Sequence, residues 1–192
     1  MEDTMTAYRA MELLVPTKVH SLGLSNIDLI SLQHIYSSCA IKPVTVQNRF
    51  TRDTELNPIY TPGLPTPLVP WDRDVRAYCC QMGIAYAPWG MLWGSLDDLD
   101  GEEKILEEFG KKVGLSREIV CFAALRRLAG WVSPLCGTSK EGRMRETLDG
   151  LERIKAWMKE NDGNKTQWER FMDKFKGIVN FGKEVKRIEG AE

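Results

Sequence analysis

No apolar run in the chain approaches the roughly 18 residues that a membrane-spanning helix requires. The opening residues, Met1-Glu2-Asp3-Thr4, are acidic, so no secretory signal peptide is expected. Charge of one sign is equally lacking: 26 Lys and Arg against 27 Asp and Glu give a formal net charge of −1. That balance excludes a nucleic-acid binder that works by mass neutralisation of phosphate, and a polybasic membrane-surface module. Histidine is nearly absent, with only His20 and His34. The five cysteines (Cys39, Cys79, Cys80, Cys121 and Cys136) form no CxxC pair, so no metal site is expected. Cys79 and Cys80 are adjacent, which is poor geometry for an ordinary disulfide. An odd count without a secretion signal reads as reduced thiols in the cytoplasm. GxGxxG, P-loop, GxSxG and HExxH motifs are all missing.

What is present suits one globular domain with at most a tail: 192 residues, 43% hydrophobic and 28% charged. The spacing predicts a helix over 5–15 with Met5, Ala7, Ala10, Met11, Leu14 and Val15 on one side. Four strands are then expected near 19–24, 43–47, 84–89 and 131–136, each followed by a helix. Ser25-Asn26 can cap the first of these helices, which carries Ile27, Ile30, Leu32, Ile35 and Tyr36. Asp72–Gln81 reads as helix with Val75 and Tyr78 inward, and Asp100 with Glu103 as a capping box for a helix over 101–113. Ser116 caps another helix, and Thr138 to Glu141 opens the last unit, with Met144, Leu148, Leu151 and Ile154 on one stripe. Leu56–Val69 is a proline-rich loop. After Asn161 an amphipathic tail carries Trp168, Phe171, Phe175, Ile178, Val179 and Val185. Strands alternating with helices argue for a parallel α/β sheet. Ligands of such folds sit at the C-terminal ends of the strands. Those ends hold Ser25 and Asn26, Gln47, Trp89 and Thr138. Three of the four offer amides or hydroxyls, and one a flat ring that can stack. Each polar one has an ordinary alternative role as a helix cap.

Four segments carry a resemblance: Gly23-Leu24-Ser25-Asn26, the stretch from Pro43 to Phe50 (PVTVQNRF), Gly83-Ile84-Ala85-Tyr86, and the stretch from Pro134 through Thr138 to Glu146. In that order they resemble the second half of an aldo/keto reductase, most closely the fungal members, over about residues 5 to 152. The resemblance implies a partial (β/α)8 TIM barrel: about four parallel strand–helix units over 1–160, with a helical tail over 161–192. It implies NAD(P)H-dependent reduction of a small carbonyl substrate, in specialised-metabolite biosynthesis, with NADP(H) or NAD(H) as cofactor. By the same resemblance Ser25, Asn26 and Gln47 would hold the nicotinamide carboxamide, and Trp89 would stack on its ring. Leu92 and Gly94 would line the pyrophosphate, Thr138 and Arg143 would meet the 2′-phosphate, and Glu146 the adenine amine. Gly137 stands where many members carry a lysine, and Thr147 where an asparagine is usual.

The family's catalytic aspartate, tyrosine, lysine and histidine come from its first four strands, and no catalytic residue is assigned in this chain. Tyr86 is the one tyrosine on an expected strand near the site, and neither histidine stands at a strand end. The expectation is therefore a truncated reductase, inactive alone. The alternative is a non-catalytic remnant that self-associates or binds a partner protein through its open sheet edge.

Overall fold

The computed structural model of the chain describes residues 2–52 and 69–182. The expected loop lies almost wholly outside these residues, as does Val185 of the tail. Three short strands, β1 (Gly23–Ser25), β2 (Thr45–Gln47) and β3 (Ala85–Tyr86), form one sheet in the order β1-β2-β3, all parallel. The fourth expected strand is reduced to a single parallel bridge between Tyr86 and Val132. The backbone still runs beside β3 further on: Ser133 N donates to Tyr86 O at 2.8 Å and Leu135 N to Pro88 O at 2.9 Å. Pro134 has no N–H to offer a ladder, which limits pairing here.

Helix α1 (Glu2–Glu12) precedes the sheet and ends earlier than the periodicity suggests. It buries Met5 and Tyr8 rather than the whole expected stripe. Helix α2 (Leu29–Ser38) follows β1 and is capped by Asp28, whose carboxylate accepts from Ser31 N at 2.7 Å. Ser25 and Asn26 therefore do not cap α2. Ile30 of its expected apolar set stays exposed. A short 3-10 turn (Pro70–Asp72) leads into α3 (Arg73–Met82), which buries Val75, Arg76 and Cys79, while Tyr78 packs edge-on against Tyr36 near the surface. A short helix α4 (Leu96–Asp100) precedes the helix expected over 101–113; residues 101–104 form a turn, and that helix begins only at α5 (Ile105–Val113). Asp100 still caps it from a distance: its Oδ1 accepts from Leu106 N at 2.6 Å and Glu107 N at 3.1 Å.

Helices α6 (Arg117–Leu128), α7 (Glu141–Glu160) and α8 (Asp162–Ile178) complete the fold and pack against one another, with α8 also against α5. Helix α6 is buried nearly all round, from Ile119 to Leu125 and at Leu128, so it shows no single apolar stripe. Alpha8 lays Trp168, Phe171, Met172 and Phe175 into the core, where Phe109 of α5 meets Trp157, Trp168 and Phe171 at ring separations of 5.4, 5.3 and 4.7 Å. Only the second half of α7 joins this core. Met144 and Leu148 of the expected stripe are 50% and 59% exposed, while Gly150 and Ile154 are buried. Among the described residues no helix is long and apolar enough to cross a membrane.

Two helical glycines are opposites. A Cβ on Gly110 would stand 2.5 Å from the backbone oxygen of Leu115, which cannot rotate away. A Cβ on Gly142 would meet nothing within 4 Å. Gly110→Ala is expected to destabilise by about 1–3 kcal/mol through overpacking, and Gly142→Ala to stabilise by about 0.5–1 kcal/mol through helix propensity. Urea unfolding of both variants measures the pair of signs.

Candidate functional site

Register divides the strand residues between two faces. Leu24, Val46, Tyr86 and Val132 stand at one level and turn toward the helices, where Val46 and Tyr86 are fully buried. The alternate positions, Gly23, Thr45 and Ala85, then Ser25 and Gln47, lie on the opposite, less covered face. Ser25 and Gln47 are register partners at the C-terminal ends of β1 and β2. Ser25 Oγ donates to Gln47 O at 3.0 Å, and Asn26 N donates to the same oxygen at 3.0 Å. Asn26 holds a left-handed backbone, φ 53°, a region that asparagine tolerates better than most residues. Among the described residues neither the Asn26 nor the Gln47 side-chain amide has a hydrogen-bond partner. A hydroxyl and two amides thus share one strand-end corner.

Trp89 lies one strand over, bridged in parallel to Arg49. Its ring meets Trp93 edge-on at 6.0 Å. Trp89, Gly90, Leu92, Trp93, Leu135 and Gly137 line much of a cleft of about 210 Å³, and Arg49 Nη2 donates to Trp93 O at 3.3 Å beside it. Gly94 turns the chain after this cleft with φ 80° and does not line it. Thr138 follows the cleft directly. Its Oγ1 accepts from Lys140 N at 3.2 Å, so it tightens the turn before α7 rather than capping the helix proper, whose N-cap is Lys140. Arg143 and Glu146 stand exposed on the first turns of α7. Arg145 is held by Glu141 at 2.7 Å, whereas the Arg143 guanidinium has no partner among the described residues. The structure thus gathers Ser25, Asn26 and Gln47 in one corner and Trp89 and Leu92 in one cleft, and sets Arg143 and Glu146 apart on α7.

Behind the corner is a polar cluster that the strand-end reasoning missed. Asn48, Asp72 and Arg76 are 4%, 7% and 0% exposed. Tyr86, the candidate tyrosine of the strands, points into this cluster and away from the open face: its hydroxyl donates to Asp72 Oδ2 at 2.9 Å. The Asn48 amide and the Arg76 charge also face it. Arg76 donates to Val179 O at 2.8 Å and lies 5.5 Å over the Phe50 ring. Burial pushes the Asp72 carboxyl up to about 7, against the opposing pull of the Tyr86 hydrogen bond, the Asn48 amide and the Arg76 charge. Burial likewise drives the Tyr86 hydroxyl well above its usual range. The only sequence trace of the cluster is an amide at an inward strand position, 48, and an acid four residues before an arginine, at 72 and 76. Among the described residues no group of His, Cys, Asp and Glu could hold a metal, and His20 and His34 are exposed. All five cysteines are free.

Solved structures share this arrangement of elements. An aldo/keto reductase from Brucella melitensis superposes with a TM-score of 0.57 at 18% identity, over 78% of this chain and 49% of its own. Aldose reductase from Giardia lamblia gives 0.54 at 20% identity, over 76% and 47%. A thermostable aldo-keto reductase in complex with the inhibitor epalrestat gives 0.61 at 19% identity, over 88% and 52%. No family model and no curated protein sequence matches. The chain therefore has the fold of a partial aldo/keto reductase barrel, and it spans about half the length of these structures.

Asp72 has a folded-state pKa above its unfolded value near 3.8, so the folded protein binds more protons in the window between about 4 and 7. Its contribution to stability is full below that window and is lost as pH rises through it, by up to about 1.4 kcal/mol per pH unit. Asp72→Asn is expected to remove this downward slope. Urea unfolding of both proteins from pH 4 to 8 measures it, and parallel curves would overturn the assignment.

Proposed function

We propose that this chain is the cofactor-holding side of an NAD(P)H-dependent aldo/keto reductase acting on a small carbonyl compound. The observation that carries the reading is the corner at β1 and β2. Ser25, Asn26 and Gln47 converge there, helix capping is taken over by Asp28, and two side-chain amides have no protein partner among the described residues. A carboxamide ligand fits that donor and acceptor set. The bound nicotinamide would supply hydride to the carbonyl carbon. Trp89 would offer it a stacking face, and Leu92 and Gly94 a passage for the pyrophosphate. The N-terminus of α7 favours anions through its free backbone N–H groups. Arg143, on its first turn and without a partner among the described residues, adds a charged fork suited to a 2′-phosphate, so NADP(H) is preferred over NAD(H). Glu146, one turn on, would accept from the adenine amine. The fungal character of the motifs supports a role in specialised-metabolite biosynthesis, and five free cysteines support a cytoplasmic setting.

Proton donation is a different matter. Tyr8 donates to Ile41 O, Tyr36 and Tyr78 pack on each other, and Tyr86 is turned to Asp72. None of these tyrosines serves the open face, so among the described residues no tyrosine is placed to supply the proton. A positioned general acid is worth about 10²–10⁴ in rate. The 192-residue chain should therefore show no NADPH oxidation with nitrobenzaldehydes at an ordinary enzyme rate near 10 s⁻¹. A second reading, a non-catalytic module that takes up a partner strand or a second copy, is favoured by the uncovered edge of β1.

Tryptophan-fluorescence titration tests the cofactor reading. NADPH is expected to bind more tightly than NADH. Arg143→Ala should weaken NADPH by about tenfold, as for a lost charge-assisted pair, and more than Gln47→Ala does. Unchanged NADPH affinity in Arg143→Ala would return residues 138–146 to plain helix-start roles.

A further inference from the structure

We infer that Asn48 and Asp72, a buried amide and a buried carboxylate, are positioning residues for the nicotinamide end of the site; this rests on the cofactor reading above. Gln47 faces the open side of the sheet, and the next residue, Asn48, faces the core. Asn48 Oδ1 accepts from Ile27 N at 3.0 Å, and its Nδ2 donates to Ile27 O at 2.7 Å. Its side chain also faces the Asp72 carboxylate and favours its charged form. A primary amide has two N–H donors and one carbonyl acceptor. Ile27 N and O engage both ends of it, so the Asn48 side chain has a single orientation.

The clamp matters because of what it holds. Ile27 directly follows Asn26, whose left-handed backbone is sparsely populated without restraint. Ser25 Oγ and Asn26 N both converge on Gln47 O. Residues 25–27 are thus tied to residues 47–48 by four hydrogen bonds, two on the open side and two from Asn48 behind. The rear pair is anchored in turn. Asp72 is itself left-handed, φ 51°, after Trp71 at φ 59°, and that turn is held by Trp71 N on Thr51 O at 2.8 Å. Tyr86 fixes the carboxylate from β3. Asp72 therefore holds its charge beside Asn48, Asn48 sets Ile27, and the turn carrying Ser25 and Asn26 is held beside Gln47. Nothing in this chain of contacts reaches α7, where the phosphate end would bind.

That separation gives the test. Calorimetric titration of the full chain with NADPH and with 2′,5′-ADP, which lacks the nicotinamide, compares the two ends. The wild-type chain is expected to prefer NADPH. Asn48→Leu should weaken NADPH about tenfold, toward the affinity of 2′,5′-ADP, and leave 2′,5′-ADP unchanged. Asp72→Asn, which keeps shape and volume, should show the same pattern with a smaller loss, and it carries the test if Asn48→Leu does not fold. A wild-type preference for NADPH that survives both substitutions overturns the positioning role alone. Equal weakening of both ligands also overturns it, since a general loss of structure does not select one end. A wild-type chain that binds neither ligand, or both alike, removes the cofactor reading and this inference with it.

Discussion

The buried Asp72 carboxylate, bonded by the Tyr86 hydroxyl and faced by the Asn48 amide, sets the geometry at the strand ends. A carboxylate taken out of water is tolerated only when its lone pairs are satisfied or its proton is retained. Here both hold in part, because two donors address it, Arg76 faces it, and burial raises its affinity for the proton. The consequence is mechanical. Three segments far apart in the chain, β3, the end of β2 and the start of α3, meet at one group that cannot shift without losing several partners together. The sheet is too short to fix these relations by ladder bonds alone, since β3 has two residues.

That rear cluster also explains why the front is available. Side chains alternate along a strand, so fixing Val46, Asn48 and Tyr86 against the helices commits Thr45, Gln47 and Ala85 to the other face. Small residues dominate there. Gly23 could not carry a Cβ, which would stand 2.5 Å from Thr45 Cγ2. Polar ends then rise at the C-terminal rim. The same commitment removes Tyr86 from chemistry on the open face, whatever its place on a strand near the site.

Much of this was legible beforehand, for identifiable reasons. The strand–helix rhythm came through because strands and helices differ in period, and the ends of β1 and β2 fall within a residue of expectation, whereas β3 ends at Tyr86 and the fourth strand is a bridge at Val132. The amphipathic stripe of Trp168, Phe171 and Phe175 is legible from its helical spacing, and in α8 it packs into the core. Choices between near-equal local signals were not legible. Ser25, Asn26 and Asp28 are all good caps, and only the point where the β1 ladder ends selects Asp28. The helix expected over 101–113 starts late, at Ile105, because Asp100 reaches Leu106 and Glu107 across the turn before it. The α7 stripe ran too far toward the N-terminus, because periodicity does not say where a neighbouring helix stops covering it. Asn48 and Asp72 were missed because their meaning lies in partners at 27 and 86, which no local pattern connects.

The two edges of the sheet are chemically unequal, which bears on how it could be extended. In a parallel ladder, alternate residues address opposite neighbours. Leu22, Leu24 and Asn26 turn to β2, so Gly23 and Ser25 present their N–H and C=O groups outward from β1. On the far side Trp131, Ser133 and Leu135 turn to β3, so the outward positions are Val132 and Pro134. Val132 N is occupied by Ala129 O at 3.1 Å, and Pro134 has no N–H. The far edge thus offers acceptors without those donors, whereas β1 offers both kinds. An incoming strand gains a full ladder only beside β1, next to Ser25. Any strand that docks there lies against the same corner that holds the amides, so completing the sheet and enclosing the proposed nicotinamide site are one event rather than two.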